Sequence, residues 1–206
     1  MFSGIIEAQS KVIATTPLDL AIRMEIHRPP HFSDIRVGDS LCTNGVCLTI
    51  EKFDLEKIQL CLGAETLKIL DRSFENWLKY PLNIERSLRL GDRVHGHLVT
   101  GHVDGLARIL KTYAEGESWQ MRLEIPKLLH SFFWKKGSVC LNGVSLTVNE
   151  VYQNSVSGWI EVCLIPETMQ KTNLKFYDVD QFLSVESDYL AKAYINSQSN
   201  KEGSLS

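Results

Sequence analysis

The feature that most constrains this 206-residue chain is that it repeats itself. Gly38–Ile50, GDSLCTNGVCLTI, aligns with Lys136–Val148, KGSVCLNGVSLTV, and seven of the 13 positions are identical. Ser3–Ile13 matches Thr100–Leu110 mostly through similar residues, and Cys61–Leu67, CLGAETL, matches Cys163–Met169, CLIPETM. The offsets are 97, 98 and 102, so the blocks keep their order while small insertions accumulate. Solenoid units span about 20–50 residues, so a repeat this long is domain-sized. It divides the chain into residues 1–97, residues 98–188 and a C-terminal segment 189–206.

Each copy reads as β-structure. KVIATT, GVCLTIEKF, KIQLCL, GVSLTVNEVY and WIEVCLI are short and rich in β-branched, aromatic and Leu residues. Asn44-Gly45 and Asn142-Gly143 are type I′ hairpin dipeptides, a turn in which both central residues take positive φ. Many short strands in so few residues point to a closed or nearly closed antiparallel barrel, because closure removes exposed edges. The expected fold is all-β, two similar barrels and a C-terminal helix. Glu65–Leu70 and Phe74–Lys79 read as short helices. The stronger helix is SDYLAKAYINS, capped by Ser187 or Asp188, with Leu190, Ala191, Tyr194 and Ile195 on one face. The polar residues Gln198–Ser206 read as an irregular tail.

Composition bounds the function. Hydrophobic residues make up 44% and charged residues 23%, ordinary for a folded soluble protein. The net charge of −3 gives no basic excess of the kind that grips polyanions, so nucleic acid is not expected as a partner. No apolar run approaches the roughly 20 residues that span a bilayer, and MFSGIIEAQSK does not read as a secretory signal. Five cysteines, an odd number without CxxC, argue for reduced thiols and a cytoplasmic protein.

The chemistry-bearing residues are few. His95, His97 and His102 form HxHxxxxH; on a strand the first two would share a face and could hold a metal, but no carboxylate or cysteine partner stands nearby, so pocket or interface histidines are the expectation. HGHLVTGHVDG is glycine-rich without GK[ST] or GxGxxG, which leaves phosphate cradling weakly supported. Cys47 in the first copy is Ser145 in the second. That is either a neutral exchange of small residues or the mark of two pockets that diverged in role, since thiol and hydroxyl differ as nucleophiles and proton donors. Glu65-Thr66 and Glu167-Thr168 recur at strand ends, where they can fix a turn or offer a hydroxyl and an amide to a ligand.

MFSGIIE, NGVCLT, GHLVTGHVDG, NGVSLTVNEV and LIPETMQKTNL, in this order and spacing, resemble the riboflavin synthase family of the α-chain type. The resemblance covers residues 1–190. Ser3 stands where the family usually has Thr, which keeps the hydroxyl, and KILDRSF follows the first ET segment where the family often has a Thr. The resemblance implies two six-stranded Greek-key barrels and a homotrimer whose active sites lie between the N-barrel of one subunit and the C-barrel of its neighbour. It implies a transferase that dismutates two molecules of 6,7-dimethyl-8-ribityllumazine, one giving a four-carbon unit to the other, to form riboflavin and 5-amino-6-(ribitylamino)uracil. No metal, flavin or nicotinamide cofactor is implied, because the second substrate molecule is the reaction partner.

Carried onto this sequence, the resemblance places Gly4, Ile5, Ile6, Cys47, Leu48 and Thr49 around the N-terminal pocket, with Cys61, Leu62, Gly63, Ala64, Glu65 and Thr66. It places Gly101, His102, Val103, Lys136, Ser145, Leu146 and Thr147 around the C-terminal one, with Cys163, Leu164, Ile165, Pro166, Glu167 and Thr168. Ser145 and Asp188 are the expected catalytic residues of the C-barrel, with Cys47, Ser40 and His102 next for nucleophilic assistance or proton transfer. Asp188 has an equal claim as a helix N-cap. A non-catalytic lumazine- or flavin-binding antenna protein would share the fold, and a ligand-free double-barrel scaffold is the remote alternative.

Overall fold

The computed structural model describes residues 1–203, with side chains described through residue 198. The first copy runs β1 (Ala8–Ser10), β2 (Val12–Pro17), β3 (Ala21–His27), β4 (Ser40–Thr43), β5 (Val46–Phe53), β6 (Lys57–Gly63), α1 (Ala64–Leu70), α2 (Phe74–Lys79) and β7 (Leu82–Arg86). Its antiparallel sheet has the order β1-β7-β4-β5-β6-β3-β2. Seven strands stand where six were expected, because Lys11 alone interrupts the first strand; β1 pairs with β7 and β2 with β3. The chain itself therefore joins the two edges of the sheet.

The second copy runs β8 (Gly105–Glu115), β9 (Ser118–Glu124), β10 (Ser138–Leu141), β11 (Val144–Gln153), β12 (Gly158–Leu164), α3 (Pro166–Lys171) and β13 (Phe182–Ser187). It closes as β10-β11-β12-β9-β8-β13, the same connectivity with the first strand unbroken. Register shifts fall at equivalent places, between Val12 and Ala14 and between Ile109 and Lys111. Each barrel is filled by the period-2 face of its strands. In β6, Ile58, Leu60 and Leu62 are fully buried while Gln59 and Cys61 face outward.

The barrels meet at their hairpin turns. Asn44 and Gly45 have φ of 45° and 86°, and Asn142 and Gly143 of 45° and 83°, as a type I′ turn requires. The turns pack back to back: a Cβ on Gly45 would lie 2.9 Å from the Gly143 nitrogen, and a Cβ on Gly143 2.9 Å from the Gly45 nitrogen. Across this contact Asn83 Nδ2 donates to the Asn142 carbonyl at 2.9 Å, and Ser184 Oγ to the Asn44 carbonyl at 2.5 Å. Phe2, Val99, Cys42 and Cys140 fill the space beside it, and all five cysteines are free thiols.

The C-terminal helix is α4 (Tyr189–Gly203). Asp188 caps it, accepting the Leu190 amide at 2.8 Å, and Lys192 reaches both carboxylate oxygens of Asp104 at 3.0 Å. One expectation changes here. The helix continues through the start of the expected tail to Gly203, and residues 204–206 lie outside the described residues. Of its expected apolar face, Ala191 is buried and Ile195 half-buried, whereas Leu190 and Tyr194 are 64% and 66% exposed. No helix among the described residues is long and apolar enough to cross a membrane.

Candidate functional site

The two copies exchange their first segments. Residues 2–6 precede β1 of the first barrel yet lie along the second, and residues 99–103 precede β8 yet lie along the first. Phe2 and Val99 pair with each other, amide to carbonyl, at 2.8 and 3.0 Å. From this crossing Gly4 accepts the Ser145 amide at 2.8 Å, and Gly101 accepts the Cys47 amide at 2.9 Å. Ile6 then packs in the core of the C-barrel and Val103 against the core of the N-barrel. The expected grouping is thus corrected: Gly4 and Ile6 belong with Ser145, and Gly101, His102 and Val103 with Cys47. Alignment of the copies pairs positions but cannot show which barrel a connecting segment crosses to.

The crossing leaves no room for side chains. A Cβ on Gly4 would lie 2.6 Å from Ser145 Cβ, and one on Gly101 2.5 Å from Cys47 Cβ. Both glycines also sit at positive φ, 75° and 80°. A buried glutamate holds each segment. Glu85 on β7 accepts Ser3 N, Ser3 Oγ and Gly4 N at 2.7, 2.8 and 3.0 Å. Glu186 on β13 accepts Thr100 N, Thr100 Oγ and Gly101 N at 2.8, 2.7 and 3.0 Å. Burial raises the pKa of both carboxyls, and the donated hydrogen bonds pull in the other direction.

Around Cys47 lies a cleft of about 340 Å³. Glu65, Thr66, Ile69 and Leu70 from α1 line one side, and Gly101, His102 and Val103 the other. Glu65-Thr66 therefore lies in the first turn of the helix expected over Glu65–Leu70, and one further turn brings Ile69 and Leu70 to the same cleft. The sequence placed these two residues on that short helix, but not in the cleft. Cys61 lies on the outer face of the sheet against Glu51, and Leu62 and Leu48 lie in the core, so the side chains of these expected lining residues point elsewhere. Gly63 and Ala64 form the exposed joint between β6 and α1, and Thr49 is exposed opposite Ser40. Ser40 opens onto a different, polar cavity with Ser33, Arg36 and Asp39.

Around Ser145 the equivalent surface is covered. The connection between barrels brings Gly96 against Ser145, and His97 Nδ1 lies 2.7 Å from Ser145 Oγ. His97 N also donates to the Ser3 carbonyl at 3.2 Å. The other ring nitrogen, Nε2, is buried without a partner, an atom a bound ligand could satisfy. Burial lowers the His97 pKa, and the negative charge of Asp188 acts against that shift. His97, expected only as a pocket or interface histidine, is the member of HxHxxxxH that pairs with Ser145. Neither His95 nor His97 lies in a strand, and His95 lines a separate cavity with Ile5, Arg89 and Arg93.

The remaining expected residues of the C-barrel spread over its rim. Glu167 and Thr168 open α3 with Pro166 at its start, as Glu65 and Thr66 open α1. Ile165 and Lys136 are exposed, whereas Leu146 and Leu164 are core residues; Cys163 is half-buried and Thr147 exposed. No group of three or more His, Cys, Asp or Glu side chains is placed to hold a metal ion among the described residues.

Comparison with known proteins joins this geometry to a family. The lumazine binding domain model matches twice, over residues 3–87 and 100–188. The riboflavin synthase of Brucella abortus is 36% identical over 202 residues, 93% of this chain and 95% of that one. The riboflavin synthases of Photobacterium leiognathi and Mycobacterium tuberculosis are 34% and 35% identical over 93% of this chain, and over 86% and 95% of theirs. Among solved structures, LumP complexed with riboflavin superposes with a TM-score of 0.80, and LumP complexed with 6,7-dimethyl-8-(1'-D-ribityl) lumazine with 0.78. Each is 20% identical and covers 91% of this chain and 99% of its own.

Proposed function

The chain belongs to the riboflavin synthase family of lumazine-binding-domain proteins, and we propose that it converts two molecules of 6,7-dimethyl-8-ribityllumazine into riboflavin and 5-amino-6-(ribitylamino)uracil. The observation that carries this reading is the pair of related but unequal sites, one built on Cys47 and one on Ser145 with His97. Two identical reactants need two similar sites, and their different roles need those sites to differ. Holding both molecules in place makes a bimolecular step effectively unimolecular, worth up to about 7–11 kcal/mol.

The chemistry of the substrate sets the task. Its C7 methyl protons are acidic, and removing one gives an exomethylene anion that attacks the second molecule. In the C-barrel site the Ser145–His97 pair takes up that proton, Ser145 Oγ passing it to Nδ1 of a ring that burial keeps neutral. Asp188 stabilises the imidazolium so formed. Cys47 and His102 serve the partner molecule in the N-barrel cleft. The donor ring gives up four carbons and leaves as the pyrimidine, so the atoms balance without an outside oxidant. The protein works in the cytoplasm as a homotrimer, with the N-barrel cleft of one subunit facing the C-barrel site of its neighbour. The exposed Tyr189, Leu190 and Tyr194 of α4 supply apolar surface for subunit contact.

The test is incubation of the purified protein with 6,7-dimethyl-8-ribityllumazine alone, followed by chromatography. One riboflavin formed for every two substrate molecules consumed supports the dismutation. Tight binding with a change in fluorescence and no product makes the protein a lumazine carrier, the reading that the LumP likeness keeps in play.

A further inference from the structure

We infer that Glu85 and Glu186 are positioning residues that each act on the site of the opposite barrel. The inference rests on the reading above that Cys47 and Ser145 face substrate, and it adds how each is set in place. Glu85 belongs to the last strand of the N-barrel, but the segment it grips ends on Ser145: its carboxylate takes the Ser3 and Gly4 amides, Gly4 takes the Ser145 amide, and Ser3 takes the His97 amide. Glu186 belongs to the last strand of the C-barrel, but its segment ends on Cys47 through the Gly101 carbonyl.

The glutamates touch neither cleft residue. Each acts through a two-residue relay whose glycine lies so close to the site residue that a Cβ there would clash with its side chain. Both carboxylates are almost wholly buried, at 3% and 2% exposure, and three short hydrogen bonds use one oxygen twice and the other once. A second strut repeats the design. Glu7 Oε2 accepts the Arg86 amide at 2.9 Å, and Asp104 Oδ2 accepts the Ser187 amide at 2.7 Å, so each segment is tied to its strand twice. A purely structural clamp would influence its own barrel first. This one ends at the active group of the other.

Glu85→Gln and Glu186→Gln in the full chain test the assignment, because an amide nitrogen cannot accept the bond from Gly4 or Gly101. The activity-independent readout is alkylation of Cys47 by iodoacetamide, followed on its own peptide by mass spectrometry. Glu186→Gln frees Gly101 from Cys47 and raises that rate about threefold or more, while Glu85→Gln leaves it unchanged. In turnover of 6,7-dimethyl-8-ribityllumazine, Glu85→Gln is non-additive with Ser145→Ala and additive with Cys47→Ser, and Glu186→Gln behaves conversely. Coupling within the same barrel, or equal effects of both variants on Cys47, would overturn the inference. Ser3→Ala and Thr100→Ala, which remove one hydroxyl donor each, give the same pattern in weaker form should a glutamine variant fail to fold. A protein that shows no turnover but the expected Cys47 pattern loses the proposed activity and keeps the clamp.

Discussion

Around Cys47 the cleft stands open, whereas around Ser145 the same strand geometry is covered by Gly96 and His97. The two sites share a hairpin, a crossing glycine and a buried glutamate, so the difference does not come from the barrels. It comes from the segment that joins them. That segment enters the second barrel's site before crossing to the first, and it carries a histidine with it. Duplication thus supplied two equal frames, and one connection made them unequal, the arrangement that the proposed reaction between two like molecules requires.

The largest expected effects lie where the sites are still alike. Gly4→Ala and Gly101→Ala each put a Cβ within 2.6 Å of the facing side chain, at a φ that disfavours any L residue. Each should cost about 2–4 kcal/mol and distort the opposite barrel's site. Urea unfolding with substrate titration measures this. A loss at Gly4 alone would mean that the exchange is not symmetric.

The sites should part company in chemistry. His97→Gln and Ser145→Ala remove the proposed proton-transfer pair and should lower turnover about 100-fold, equivalent to roughly 2.7 kcal/mol. Cys47→Ser puts a hydroxyl in place of the thiol in an open cleft and should lower it no more than about tenfold. Single-turnover rates at saturating substrate decide. Equal losses at Cys47 and Ser145 would remove the distinction between them.

Much of this was legible in the sequence. The repeat, the NG turns and the period-2 faces of GVCLTIEKF and GVSLTVNEVY gave two barrels, because local pattern and turn chemistry agree there. The matching offsets also paired Cys47 with Ser145. The exchange was not legible, since SGIIE and TGHVD carry no local signal of which barrel they will lie along; that depends on hydrogen bonds between residues 82 and 86 positions apart. His97 was hidden for a similar reason. The HxHxxxxH pattern suits a pocket or interface histidine but names no partner, because Ser145 is 48 residues away.

A smaller effect separates the sites by pH. Burial lowers the His97 pKa, so below about pH 6.5 the unfolded chain binds the proton more tightly than the folded one. The contribution of this residue to stability is complete above that pH and is lost as pH falls through the folded value, with a slope of at most about 1.4 kcal/mol per pH unit. Glu85 and Glu186, raised by burial, act in the opposite sense and lose stability as pH rises. Comparing wild type with His97→Gln therefore isolates the C-barrel term. Denaturation midpoints between pH 5 and 7 should converge in the two proteins at the acid end; parallel curves would show that His97 is not buried as described.

The smallest effect tests the one residue with two claims. Asp188 accepts the Leu190 amide as helix cap and faces His97 electrostatically. Asparagine keeps the acceptor and removes the charge, while alanine removes both. Asp188→Ala should cost about 1 kcal/mol of stability and Asp188→Asn no more than about 0.5 kcal/mol. Turnover follows the charge instead of the cap: without Asp188 nothing offsets the burial of His97, its proton affinity falls further, and both variants shift the acid limb of the rate profile to lower pH by the same amount. If Asp188→Asn retains the wild-type profile, Asp188 is a cap and nothing more. The C-barrel site then consists of Ser145 and His97 alone, and its difference from the Cys47 cleft reduces to the histidine that the connecting segment brings.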